Sequence, residues 1–296
     1  MKKILLLTLA AMSLMAQAQQ VAVVEKTRLL EGVAGAAYRP VLSPDGSRLL
    51  FASGDAAALR CYDFADNVVT TISDEACAGT DAFWGGDGKV YYVTQQRDGH
   101  NLVYRTGHAY DPATATSAVV LGPQHGAVRP MPATRGGALR SQARNYGSAD
   151  LGTAVTTEGS EVVVSVNGRE RRFSPVAPSA GYLWASLSPD RRRVAFFAAG
   201  HGIIVTDLDG NILARPGNYE MPCWYDNDYL VAQNATDDGH QFTSSQIVLL
   251  RADGSGMTPL TPPTSMAMQP TAAAGKIVYT TVDGLLWQMK INVQPK

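Results

Sequence analysis

Five histidines, two arginine clusters and a recurring Asp-Gly pair are the features of this chain richest in chemistry. His100 stands in Asp98-Gly99-His100-Asn101 and His240 in Asp238-Gly239-His240-Gln241, while His108, His125 and His201 are isolated. A neutral imidazole binds transition metals and exchanges protons near neutral pH, so converging histidines would form a metal or ligand site. The plainer reading is that Asp-Gly-His is turn chemistry with an exposed third residue. Arg169, Arg171 and Arg172, together with Arg191, Arg192 and Arg193, suit bidentate contact with carboxylates on an acidic protein or an anionic polysaccharide. As solvated hairpin ends they would bind nothing, and Glu170 offsets part of their charge. Asp207/Asp209 and Asp226/Asp228 lack the alternating-oxygen loop of an EF-hand, so bonds to nearby backbone amides are favoured. Trp84, Trp184 and Trp224 are rings of the kind that line sugar clefts, but their related repeat positions favour packing. Neither Gly147-Ser148-Ala149-Asp150 nor Gly254-Ser255-Gly256 makes a Gly-x-Ser-x-Gly nucleophile elbow. No catalytic residue, metal or cofactor is assigned.

The element that must position these residues is a repeated block: an apolar strand, a Gly/Asp turn and a second apolar strand. It reads Ser43-Pro44-Asp45-Gly46 before Leu49-Leu50-Phe51, Gly85-Gly86-Asp87-Gly88 before Val90-Tyr91-Tyr92, and Ser188-Pro189-Asp190-Arg191 before Val194-Ala195-Phe196. A second phrase, Ile203 to Gly210 and Ile247 to Gly254, places Asp-Gly after an apolar run, a strong hairpin signal. A period of about 40–50 residues indicates a solenoid or propeller. The expected architecture is all-β: a six-bladed β-propeller closed by the N-terminal strand pairing in the last blade. Blades fall at about 38–76, 80–122, 125–178, 182–217, 220–263 and 266–293, the last joined by 21–31. Blade 3 is the weakest, with strands expected at 127–132, 138–143, 153–157 or 161–166, and 170–175. Pairing both termini in one blade would remove an exposed sheet edge.

In such a ring the first-to-second and third-to-fourth turns share one face. Second-to-third loops and blade linkers share the other. His100, His125, His201 and His240, with Asp98, are thereby expected on the linker face as a ligand-binding set. Of these only His125, in a linker, is expected near the axis. His108 is expected in a third-to-fourth connection. The six arginines are expected on the opposite face as a partner-binding set.

The ends and the composition narrow the class. Lys2 and Lys3, an apolar stretch over 4–14 and Ala16-Gln17-Ala18 have the order of a signal peptide at 1–18, leaving one domain over 19–296. The apolar stretch is shorter than the roughly 20 residues of a membrane span. Without the two leader lysines the net charge is about −3, unlike a nucleic-acid binder with its basic stripe. Cys61, Cys77 and Cys223 leave at least one thiol unpaired; Cys61–Cys77 is near enough in sequence to pair, but small buried hydrophobes are the favoured reading.

Ser-Pro-Asp-Gly with its following strand, then Ile-x-Val-x-Asp-x-Asp-Gly and a closing Leu-Thr, resembles the TolB-type propeller repeat, also called WD40-like or PD40. The match lies at 43–51, 188–196, 203–210 and 247–261, more loosely at 85–92, and with the degenerate units covers nearly all of 19–296. That resemblance implies fold more than function, since the family spans periplasmic scaffolds, carbohydrate lyases and peptidase-attached propellers. The expected function is an exported, non-enzymatic scaffold, soluble in the periplasm or outside the cell, binding an envelope protein or glycan and no nucleic acid. The alternative is a metal-dependent lyase of the oligogalacturonate type, for which His201 and His240 would be the nearest pair. Ligands must converge to about 2.0–2.1 Å from a zinc-like ion, and histidines in blades two and five of a ring of six do not.

Overall fold

The computed structural model describes residues 21–31, 35–54, 57–126, 128, 148–149, 153–158, 160–167, 169–176 and 181–294. The expected signal peptide lies outside these residues, as do the expected strands at 127–132 (Val128 excepted) and 138–143. Short apolar runs with tight turns build six four-stranded antiparallel sheets, the blades of a propeller.

The first strand, β1 (Val21–Arg28), belongs to the last sheet. Blade 1 comprises β2 (Ala37–Leu42), β3 (Arg48–Ser53), β4 (Ala58–Asp63) and β5 (Val68–Ser73). Blade 2 comprises β6 (Phe83–Trp84), β7 (Val90–Arg97), β8 (Val103–Asp111) and β9 (Thr116–Gln124). Blade 3 comprises β10 (Ser148–Ala149), β11 (Thr153–Glu158), β12 (Glu161–Val166) and β13 (Arg169–Phe173). Blade 4 comprises β14 (Tyr182–Leu187), β15 (Arg193–Ala198), β16 (Gly202–Asp207) and β17 (Ile212–Gly217). Blade 5 comprises β18 (Glu220–Trp224), β19 (Tyr229–Asp237), β20 (Phe242–Arg251) and β21 (Met257–Pro259). Blade 6 comprises β22 (Ala267–Ala273), β23 (Lys276–Thr281) and β24 (Leu286–Val293), with β1 paired to β24 from Val21↔Val293 to Arg28↔Trp287.

Blade 3 corrects the sequence reading. Residues 153–158 and 161–166 are not alternatives; they are its two middle strands, and Ser148–Ala149 is its described inner strand. A second correction concerns His108, which lies within β8 and not in the following connection, because β8 and β9 each run nine residues.

The core consists of layers between blades. Middle strands such as β16 (GIIVTD) are apolar on both faces because a neighbouring blade covers each face. Val155, Val162 and Val164 of blade 3 pack with Tyr182, Val194 and Phe196 of blade 4. Val278 and Leu286 of blade 6 pack with Leu42, Leu49 and Phe51 of blade 1. Other clusters join blades 4 and 5, 5 and 6, 1 and 2, and 2 and 3. Apolar burial, at about 25 cal/mol per Å² removed from water, is thus spread around the ring.

The Ser-Pro-Asp turn recurs because it supplies its own hydrogen bonds. Ser43 Oγ donates to Asp45 Oδ1 at 2.5 Å, and accepts from the Arg48 amide at 2.9 Å. In blade 4, Ser188, Asp190 and Arg193 repeat these bonds at 2.5 and 3.0 Å. The Ser43 hydroxyl, with the Ser47 amide, lowers the Asp45 pKa to about 2. Gly46, at φ 67°, completes the first turn, and a Cβ there would sit 2.9 Å from Ala274 Cβ. Arg191 takes the equivalent place in blade 4 at φ 59°. A left-handed non-glycine residue costs on the order of 1–2 kcal/mol. Arg191→Gly is therefore expected to raise stability by about 1 kcal/mol, some 2 °C in Tm for a domain of this size. A thermal melt showing a lower Tm would contradict this account of the turn.

Candidate functional site

Each inner strand is the edge of its sheet, so its outward backbone groups need partners from outside the ladder. In blades 1 and 6 side chains of the preceding blade provide them. Thr271 Oγ1 of blade 6 accepts from the Leu42 amide of blade 1 at 3.2 Å, and Cys223 Sγ of blade 5 accepts from the Ala272 amide of blade 6 at 3.3 Å. Gln269 Oε1 accepts from the Arg39 amide at 2.7 Å, and Gln233 Oε1 from the Gln269 amide at 3.0 Å. In the other direction Trp84 Nε1 donates to Val41 O and Trp224 Nε1 to Ser186 O, both at 3.2 Å. These two indoles are packing residues, 9 % and 5 % exposed.

Trp184 is different. Leu42, Trp84, Leu187 and Trp224 end their inner strands by pairing with Leu49, Val90, Val194 and Leu230. Trp184 stands three residues before that point, so it does not share the repeat position of the other two indoles. At its place the ladder register slips in blades 1, 4, 5 and 6. Arg39, Trp184, Met221 and Gln269 occupy this bulge with φ of 53°, 55°, 52° and 53°. A buried Pro40, Ala185, Pro222 or Pro270 follows each. Asp81, three residues before Trp84, is the blade 2 counterpart. Bulges re-aim side chains, and here the four residues line a funnel along the ring axis.

The funnel has a volume of about 890 Å³ and is lined by the inner strands and their following turns, with Asp45, Arg191 and Asn227 among its lining residues. Arg39 Nη1 donates to Thr80 O at 2.6 Å and lies 3.7 Å from Asp81 Oδ1. Trp184 is half-buried and leans on Phe197, ring centroids 5.6 Å apart. Six blades in order put blade 1 opposite blade 4 and blade 2 opposite blade 5. Arg39 thus belongs to the blade facing that of Trp184, and Asp81 to the blade facing that of Met221. Arg39 and Gln269 set polar side chains on this wall and Trp184 and Met221 apolar ones, among further polar residues of blades 4 and 5 such as Ser188, Arg191 and Asn227. Sequence reading missed this because the bulge leaves no mark except a small residue or proline after a variable one.

The histidine set is dispersed over separate turns. Asp98 Oδ1 accepts from the His100 and Leu102 amides, each at 2.9 Å, and Asp238 Oδ1 from the His240 and Gln241 amides, also at 2.9 Å. His201 is exposed in the β15–β16 turn. His125 is not at the axis: its ring lies 4.0 Å from that of Tyr104, and its Nδ1 is 3.1 Å from Val103 O. Among the described residues, no three His, Cys, Asp or Glu side chains come together as a metal site. His108 stacks on Tyr92 at 4.8 Å with Nε2 2.9 Å from Thr94 Oγ1; burial lowers its pKa, and Glu75 partly opposes this.

The arginine set is also divided. Arg169, Arg171 and Arg172 lie on β13, not in a turn. Arg172 pairs with Glu158 at 2.6 Å, Glu170 at 3.2 Å and Glu161 at 3.5 Å, drawing its head to the β11–β12 end of the blade and away from Arg191. Arg171 pairs with Asp209 of blade 4. Arg193 donates to Asn227 O and lies 5.1 Å over the Trp224 ring. Arg191 and Arg192 remain exposed on the turn face, and Arg169 is exposed near the β12–β13 turn.

The paired aspartates serve turns. Asp207 Oδ1 accepts from the Asp209 and Asn211 amides, each at 2.9 Å, and Asp226 Oδ1 from the Asp228 and Tyr229 amides at 2.7 and 2.8 Å. All three cysteines are free thiols, so Cys61 and Cys77 do not pair; burial pushes Cys61 up to about 11. Because the Trp224 indole bonds across blades and that of Trp184 does not figure in that girdle, Trp224→Phe is expected to cost about 1–2 kcal/mol. Trp184→Phe is expected to cost under about 0.5 kcal/mol. Urea denaturation compares them, and equal losses would contradict the division of roles.

No family model matches the sequence, and no curated protein matches it. Solved structures do. TolB from Acinetobacter baumannii superposes with a TM-score of 0.51 at 12 % identity over 88 % of this chain, which spans only 58 % of the TolB chain. Virginiamycin B lyase from Staphylococcus aureus gives 0.53 at 12 % identity, covering 92 % of this chain and 99 % of that one. A chain of a mitotic checkpoint complex gives 0.56 at 9 % identity, covering 98 % of each. Identities this low show the fold alone. The chain is a six-bladed β-propeller, consistent with the TolB/WD40-like repeats its turns resemble.

Proposed function

We propose that this chain is an exported binding scaffold whose funnel on the turn face receives an envelope protein or glycan. The observation that carries the reading is the funnel: about 890 Å³, within the usual range of roughly 300–1,000 Å³ for ligand pockets, walled by strands tied to their neighbours. The wall residues that differ most between blades, Arg39, Trp184, Met221 and Gln269, sit on an otherwise regular framework. A rigid framework with variable side chains at one repeated position is how a propeller gains specificity without altering its fold. Arg191 at the funnel and the exposed Arg192 add positive charge for an acidic partner. The leader-like segment at 1–18 supports export. No helix among the described residues is long and apolar enough to cross a membrane. The histidine turns on the linker face are a secondary contact surface in this reading.

Cross-linking and pull-down from native envelope extract test it. The wild-type chain is expected to capture a discrete partner, and Trp184→Ala/Met221→Ala is expected to lose at least ten-fold of that capture. His100→Ala/His240→Ala is expected to retain most of it. Equal capture by all three proteins would contradict a role for the funnel.

A further inference from the structure

We propose that two copies of this chain join through their linker faces, each seating two projecting hairpins in the recesses of the other. Dimerisation does not depend on the funnel, which opens among the turns of the opposite face.

Two blades are taller than the other four. Counted from Leu49, Ala154, Val194 and Ile277, the second strands of blades 1, 3, 4 and 6 continue for four residues, to Ser53, Glu158, Ala198 and Thr281. Counted from the equivalent Val90 and Leu230, those of blades 2 and 5 continue for seven, to Arg97 and Asp237. Three further residues at about 3.4 Å each project these hairpins roughly 10 Å beyond the other turns. Both tips are built alike. Asp98 and Asp238 accept from the amides of their turns, and four residues on, Leu102 and Phe242 are exposed. Trp84 precedes Asp98 by the same interval as Trp224 precedes Asp238, and blades 2 and 5 stand half a turn of the ring apart. Between the projections lie two saddles, one over blades 6 and 1 and one over blades 3 and 4. The first carries exposed Val282, after β23, and Tyr38, at the start of β2. Apolar residues are thus exposed on a projection and in a recess of one face, an arrangement that favours a partner.

Such a face is complementary to itself. Turning one copy over about a two-fold axis in the plane of the ring can set its blade 5 hairpin over the partner's saddle of blades 6 and 1. The partner's blade 5 hairpin then falls in the same saddle of the first copy, and the blade 2 hairpins fall in the saddles of blades 3 and 4. This is the reciprocity that an isologous contact requires. Phe242 thereby meets Val282 and Tyr38 of the other copy. Six blades allow one other setting, with the hairpins exchanged between saddles, and charge chooses between the two. In the first, Arg97 of the blade 2 tip faces Glu161, and the Asp237–Asp238 tip faces the saddle where Arg28 stands with Glu31 and Asp283. In the second, Asp237 and Asp238 would face Glu158 and Glu161, a juxtaposition of like charges. The two tips and the loops between them bring roughly 25 residues of each copy to the contact, within the 20–30 a side of a standard interface. The dimer points its two funnels in opposite directions, so the scaffold holds two partners at once.

Sedimentation equilibrium of the full chain tests the proposal, with circular dichroism to confirm that each variant is folded. The wild type is expected to dimerise with a Kd of about 10 μM or tighter. Phe242→Lys and Val282→Glu should each weaken the dimer at least ten-fold. Combined in one chain they should recover most of the lost affinity, because each lysine then meets a glutamate of the other copy. Leu102→Lys combined with Val282→Glu should recover none. Val119→Lys, on the exposed outer strand β9, should leave the dimer intact. Should Phe242→Lys fail to fold, Phe242→Ser replaces it in the single-variant comparison, again with a loss expected. A monomer at roughly 100 μM, ten-fold above that Kd, wild-type affinity in Phe242→Lys or Phe242→Ser, recovery with Leu102→Lys in place of Phe242→Lys, or dissociation by Val119→Lys would overturn the proposal.

Discussion

An inner strand of a propeller is a sheet edge that cannot be left to water, and the need to satisfy its backbone shapes this molecule. For blades 1 and 6 the preceding blade meets that need with side chains: Thr271 for Leu42, Cys223 for Ala272, Gln269 for Arg39 and Gln233 for Gln269. Such bonds contribute roughly 1 kcal/mol each, but a buried amide without one costs about 1–3 kcal/mol. They therefore act chiefly as constraints on which residues each position accepts. The position before the strand end must offer an acceptor or close packing, and a tryptophan at the strand end donates backward. The layers of Val, Ile, Leu and Phe between blades supply the bulk of the stabilisation around this girdle.

The same constraint creates the funnel. A bulge three residues before the strand end holds Arg39, Trp184, Met221 and Gln269 in the left-handed region. Each conformation costs on the order of 1 kcal/mol or more, a strain that surrounding contacts must over-determine if it is to persist. Four blades accept it with four unrelated side chains, so the backbone shape is common and the chemistry is local. Gln269 serves the girdle through its side-chain oxygen, whereas the girdle bonds do not set the identity of Trp184 and Met221, which line the funnel.

Much of the fold was legible because its signals are local. Ser43-Pro44-Asp45-Gly46 contains its own hydrogen bonds, so four residues announce a hairpin wherever they occur. Blade 3 was legible only in part, since its middle strands lack that turn and the order of 153–158 and 161–166 depends on pairing partners. The site was mostly illegible. Arg172 looked like a neighbour of Arg191, but Glu158 and Glu161 come from two other strands and pull it to the far end of the blade. Trp184 looked like Trp224, but a three-residue offset separates a half-exposed funnel residue from one packed between blades, and only a small residue or proline after it marks the backbone bulge that makes the difference. The Asp-Gly-His turns were read correctly as turns; convergence of their rings depends on distances that no spacing encodes.

The central claim is that the Trp184 indole stands half-exposed in the funnel while Trp84 and Trp224, at the same wall, are packed between blades. Fluorine NMR of 5-fluorotryptophan-labelled protein, with each line assigned by single Trp→Phe substitution, addresses it directly when a soluble gadolinium chelate is added. The account predicts strong relaxation enhancement at Trp184 and weak enhancement at Trp84 and Trp224, which are 9 % and 5 % exposed. Equal enhancement at all three, or protection of Trp184 greater than that of Trp224, would contradict it.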